Sequence, residues 1–175
     1  MKFVVSMLMI VALIASVAQA NLDWVADFNV NVTSSAGTMS PVLVDGQEYL
    51  MEVSGYYSYC RSGSERFNDA EFHLNADRTG QGAFNPYVGL LIDGVNYELL
   101  GSSDGGVTWA AGVWSPNLTY RYYLTGAGVA KRFSINDSSY SDNGGGLNVK
   151  LCEVPEPATM VLLGLGCVGL LRRKK

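Results

Sequence analysis

Between residues 47 and 57 the side chains alternate. Tyr49, Met51, Val53 and Gly55 hold one set of positions, and Glu48, Leu50, Glu52 and Ser54 the other. A period of two fits a pleated strand with one face inward; a helix would return its apolar residues every three or four positions. The pattern recurs along the chain. Runs 87–92 and 95–100 flank Asp93-Gly94, a dipeptide suited to the left-handed turn of a two-residue hairpin. Residues 108–113, 119–124, 129–135 and 147–152 are further short apolar or aromatic runs. Turn-rich stretches at 102–106, 115–117 and 136–146 separate them. Residues 21–33 read as a first strand, 34–40 as a loop, and 62–86 as the longest stretch without a strand pattern. No segment before residue 154 sustains a helical period. The expectation is an all-β fold, an antiparallel β-sandwich or jelly roll, in a domain large enough to bury its own core.

The two ends differ from this middle. Lys2 precedes an apolar run at 3–17, and Ala18-Gln19-Ala20 supplies small residues at the −3 and −1 positions of a cleavage site. Residues 1–20 therefore read as a secretory signal peptide cut between Ala20 and Asn21. At the other end Pro155-Glu156-Pro157 leads into the apolar run 158–171 and then Arg172, Arg173, Lys174 and Lys175. As a short hydrophobic helix, 158–171 would rise about 21 Å, against a hydrocarbon core of about 30 Å. It could span only a thinned bilayer, with its basic end held inside.

Those three ordered parts resemble the PEP-CTERM sorting signal of exported bacterial proteins. The resemblance implies recognition by an exosortase-type transpeptidase at Pro155, Glu156 and Pro157, with transient membrane contact through the tail. It also implies delivery to the cell surface, outer envelope or extracellular matrix. The chain thus divides into residues 1–20, a domain at 21–153, and a sorting tail at 154–175.

The domain at 21–153 carries fifteen acidic and seven basic residues, a net charge of −8. Such a balance argues against nucleic acid as a partner and suits cations or neutral sugars. Cys60 and Cys152 lie in this exported domain, where disulfides persist. Two readings stand for them: a Cys60–Cys152 bridge, or two buried thiols.

The run 136–149, NDSSYSDNGGGLNV, offers Asp137, Asp142 and Asn143 at close spacing before a flexible glycine run. Calcium takes six to eight oxygen ligands from such carboxylates, amides and backbone carbonyls. The same composition also makes an ordinary hairpin loop. Together with VDGQEYLMEVSGYYSY at 44–59, the run resembles the bacterial calcium-dependent galactose-binding lectins, a galactose-binding-like β-sandwich family. By motif position the resemblance implies a calcium site formed by the Tyr59 carbonyl, Asp137, the Ser139 carbonyl, Asp142 and Asn143. Asp137 and Ser139 stand closer together than in the lectin loop, and Asp142 replaces an Asn, which adds negative charge. The family's sugar-binding His/Gln pair is not preserved: His73 is the only His, and Ala76 follows it three positions on. His73, Trp109 and Trp114 remain as ligand-binding residues, the tryptophans as rings for sugar stacking or as ordinary sheet residues.

Catalytic patterns are missing. One His permits no H-E-x-x-H site, and there is no Gly-x-Ser-x-Gly elbow or phosphate-binding loop. The expected role is non-enzymatic: a calcium-stabilised, lectin-like module that contacts polysaccharide or a cell-surface glycan. The alternative is a structural matrix or biofilm protein without sugar binding. The two differ in whether the ion has a coordination position open to ligand.

Overall fold

A computed structural model describes residues 23–61, 64–75, 81–84 and 89–155, with the backbone alone at 60–61, 64–65 and 81–84. The described residues form thirteen strands and no helix. They are β1 (Trp24–Val30), β2 (Thr38–Val42), β3 (Glu48–Arg61), β4 (Ser64–Asn68), β5 (Phe72–Leu74), β6 (Gln81–Phe84) and β7 (Leu90–Ile92). The rest are β8 (Val95–Asn96), β9 (Leu100–Gly101), β10 (Ala110–Ala111), β11 (Thr119–Thr125), β12 (Ala130–Ile135) and β13 (Gly144–Glu153). All pairings are antiparallel, in two sheets. The larger runs β10-β9-β11-β3-β4-β5-β6, with β13 on the free flank of β3 and β1 outside β13; the smaller runs β2-β12-β7-β8.

The alternating run at 47–57 is the spine. As β3 it pairs along one flank with β11 and then β4, and along the other with β13. Its inward set, Tyr49, Met51, Val53 and Tyr57, is buried together with Leu147, Val149 and Leu151 of β13 and Tyr120 and Leu124 of β11. The smaller sheet adds Leu90, Ile92, Phe133 and Ile135 to the same core, and Phe28 meets Phe133 edge-on at 5.2 Å. Fully burying each such side chain contributes about 1.5–3 kcal/mol. On the opposite face Glu48, Glu52 and Ser54 are polar, while Leu50 is buried. Arg121, Glu52, Lys150 and Asp27 sit side by side across four strands with alternating sign. Arg121 bonds Glu52 at 3.0 Å, and Lys150 lies 4.0 Å from Asp27.

The Asp93-Gly94 hairpin forms as the dipeptide requires: both residues have positive φ, 52° and 82°. The Asp93 carboxylate also accepts the Arg132 N–H at 2.9 Å and pairs with Lys131 at 2.9 Å, fastening the turn to β12.

Several expectations are corrected. The stretch 62–86 contains β4, β5 and β6, so the larger sheet extends through it. The loop at 34–40 is shorter than expected, because β2 starts at Thr38. The run 95–100 is not one strand: it breaks between β8 and β9. The Cys60–Cys152 bridge does not fit the sheet. Cys152 lies opposite Leu50 on β3, whereas Cys60 is on β3 itself, ten positions further along. At about 3.3 Å per residue that separation is on the order of 30 Å, far beyond the reach of a disulfide. Cys152 is a free, buried thiol whose pKa burial pushes up. The signal cleavage pair Ala20 and Asn21, the hydrophobic tail helix, Cys60's side chain, Glu156 and Pro157 lie outside what is described. Among the described residues no helix is long and apolar enough to cross a membrane.

Candidate metal centre

The 136–143 loop leaves β12 and returns as β13. Its first residue is pinned from beneath: Asn136 N–H donates to the Gly89 carbonyl at 3.1 Å. Gly89 has φ +106°, and a Cβ there would fall 2.3 Å from the Ala70 carbonyl oxygen, so only glycine fits. Asp137 Oδ1 accepts the Ser139 N–H at 3.2 Å, a local turn that fixes the carboxylate. Tyr140 closes the loop by donating its hydroxyl to the Ile135 carbonyl at 3.2 Å. Asn143 Nδ2 donates to the Val32 carbonyl at 2.8 Å, which tethers the loop to the end of β1.

The pairing of Gly144 with Ser58 places Asn143 one step further out, level with Tyr59. Three of the five sequence-predicted calcium residues, Tyr59, Asp137 and Asn143, are half-buried at this end of β3; Ser139 and Asp142 are exposed in the loop. Two oxygens stand out. Asp137 Oδ2 and Asn143 Oδ1 are both sealed from solvent and have no hydrogen-bond partner. Among the described residues no three of His, Cys, Asp and Glu converge as a metal set. Calcium does not require one, since amide and backbone oxygens serve it equally.

Beneath the loop lies a network that holds it. The Tyr57 hydroxyl accepts N–H bonds from Asn68 Nδ2 at 3.1 Å and from Gly89 at 3.2 Å. Burial pushes the Tyr57 pKa up to about 12 against those bonds, with the nearby Asp137 charge adding to the rise. Asn68 Oδ1 lies 2.5 Å from His73 Nδ1, an oxygen that can only accept, so Nδ1 carries the proton. The His73 ring stacks on Tyr59 with centroids 6.2 Å apart. The structure therefore brings His73 beside Tyr59.

Of the two tryptophans, Trp109 is elsewhere. Trp109 lies under the Arg121 guanidinium at 4.2 Å and donates its N–H to the Gly106 carbonyl. Arg121 pairs with Glu52, seven residues along β3 from Tyr59, roughly 20 Å away in an extended strand. The Trp109 ring therefore does not join the 136–143 loop. Trp114 packs against the core, with its Nε1 sealed and without a partner.

Sequence reasoning missed a second buried polar group, formed by Asp69, Glu71 and Tyr120. Its acidic members fall in the stretch that lacked a strand pattern, and only the Asn68-Asp69 turn chemistry hinted at order there.

The sorting tail departs straight from the sheet. Val154 N–H donates to the Glu48 carbonyl at 2.9 Å, and its own carbonyl accepts Gln47 Nε2 at 2.8 Å. Pro155 follows, exposed. No curated protein and no solved structure matches the chain. The family model of the PEP-CTERM protein-sorting motif matches residues 153–175. The tail is thus a PEP-CTERM sorting motif, which implies an exported protein processed at the membrane by an exosortase.

Proposed function

We propose that this is a surface or matrix protein whose two sheets form a lectin-like sandwich, binding Ca2+ between the 136–143 loop and Tyr59. The ion-organised edge, with His73 beside it, contacts neutral polysaccharide. The role is binding, not catalysis. One observation carries the reading: Asp137 Oδ2 and Asn143 Oδ1, on two residues expected as ligands, are sealed acceptors without donors. A buried carboxylate oxygen left unpaired is costly, and a hard divalent cation offsets that cost where no N–H is present. Asp137, the Asn143 amide and the Tyr59 and Ser139 carbonyls would supply protein oxygens, with Asp142 reaching in from the exposed side.

A second reading has its own support. The Asn143–Val32 and Asn136–Gly89 bonds tie the loop to both sheets, as a purely structural clamp would. In that reading the coordination shell is closed and the protein serves the matrix by attachment alone. Glycan-array and affinity measurements on the exported protein, in calcium and in EGTA, separate the two. Calcium-dependent retention that Asp137→Asn abolishes supports the lectin-like role. Calcium binding without any glycan retention leaves the structural clamp.

A further inference from the structure

Asp69 and Glu71 are two carboxylates in one buried turn, with 0 % and 4 % of their surface exposed. They are treated very differently. Asp69 Oδ1 accepts the N–H groups of Glu71 at 2.8 Å and Phe72 at 2.6 Å, and Oδ2 accepts the Tyr120 hydroxyl at 2.6 Å. Three donors suit a charged carboxylate. Glu71 has one: Oε1 accepts the Leu99 N–H at 3.1 Å, while Oε2 is sealed and unpartnered. Every group bonded to this pair is an N–H or O–H donor, so the surroundings do not suit a metal ion. The charges bearing on Glu71 are Asp69, from its own turn, and Glu98, beside Leu99, and both are negative. The third packed element, the 114–120 segment, contributes the Tyr120 hydroxyl, already given to Asp69, and the Ser115 N–H, which faces that hydroxyl. What fits Glu71 here is a proton. A neutral carboxyl short of one hydrogen bond costs far less than an unpaired buried charge.

The same turn reaches the metal loop. Between the two acids, the Ala70 carbonyl accepts the Leu90 N–H at 2.9 Å, directly after Gly89, whose own carbonyl holds Asn136. We propose that Glu71 is a proton-operated latch: neutral, it keeps the 69–72 turn seated against Leu99; ionised, it loosens that junction and, through Ala70 and Leu90, the base of the 136–143 loop. The latch stands on this geometry whether or not the loop holds a cation.

Burial, reinforced by Asp69 and Glu98, pushes the Glu71 pKa up to about 7, from 4.5 in the open chain. Between those values the closed state binds the extra proton, so its stability falls as pH rises from 4.5 and levels off above 7. In hydrogen exchange on the exported protein, protection factors of the Leu99 and Leu90 amides should drop about tenfold between pH ~6 and ~8.5. Glu71→Gln, which keeps an acceptor for Leu99, should abolish the drop; Glu98→Gln, which removes a charge that raises the Glu71 pKa, should only move it to lower pH. Constant protection in the wild type, or an equal drop in Glu71→Gln, would overturn the proposal. Should Glu71→Gln not fold, a carbon-detected titration of Glu71 in the wild type decides: a midpoint near that of the open chain rejects the latch.

Discussion

Tyr57 shows how much one hydroxyl can hold. It joins β3 to Asn68 at the end of β4 and to Gly89 below the 136–143 loop. Tyr57→Phe leaves two buried N–H donors unsatisfied, at about 1–3 kcal/mol each, so a loss of roughly 2–6 kcal/mol is expected in denaturant unfolding. Gly89→Ala should cost a similar amount, because its new methyl meets the Ala70 backbone and the residue keeps a left-handed φ. A loss below ~1 kcal/mol for either would mean that the network does not hold the loop. At this scale the sequence was partly readable. Asp137 and Asn143 could be singled out as oxygen-bearing residues at close spacing in one loop, although the same residues also make ordinary turns. Asp69 and Glu71 could not, because nothing in a sequence distinguishes a buried carboxylate from an exposed one. Their partners are distant in the chain: Tyr120 for Asp69, fifty-one residues away, and Leu99 for Glu71, twenty-eight away.

Among the elements, the strands with strict alternation and the Asp93-Gly94 hairpin were legible, since local chemistry decides both. Gly94 has φ +82°, and a Cβ there would meet only the Arg132 side chain, at 3.6 Å. Gly94→Ala should therefore cost only the left-handed backbone strain, about 1–2 kcal/mol, with Gly94→Asn milder. Equal losses for Gly94→Ala and Gly89→Ala would contradict this division between strain and clash. β4 to β6 were not legible. They are short, and they exist because β3 extends beyond β11 and offers them an edge. The 102–109 loop makes a further point. The Asp104 carboxylate accepts bonds from the Thr108 side chain and amide, the Ser102 hydroxyl and the Val107 amide. Those bonds, led by Thr108, hold its pKa well below the usual carboxylate range. The ordering they provide is present above the open-chain pKa and lost as pH falls through the depressed value. A proton titration should find the loop intact at pH ~4, with Asp104 still ionised; a normal Asp104 midpoint would mean that the loop is open in solution.

For the whole molecule, the two ends and the middle obey different rules. The sorting motif is legible because it is read as a linear address. It begins where the sheet ends, with Val154 still bonded to β3. Replacing Pro155, Glu156 and Pro157 together should leave thermal unfolding of the domain unchanged and block processing of the tail, seen as an unshortened chain in membrane fractions. Normal shortening would remove the motif's role. That the described residues are all-β was legible from periodicity, but which strand ends meet was not. Register separates Cys60 from Cys152 and, by the same logic, brings Asn143 level with Tyr59. The central claim is that this juxtaposition holds a calcium ion. Thermal unfolding of the exported protein in calcium and in EGTA, for the wild type and Asp137→Ala, tests it most directly. A hundredfold excess of ligand over Kd stabilises by about 2.7 kcal/mol, a shift of several degrees for a domain of this size. The account predicts that rise in the wild type and its loss in Asp137→Ala. Identical melting in calcium and in EGTA would contradict it.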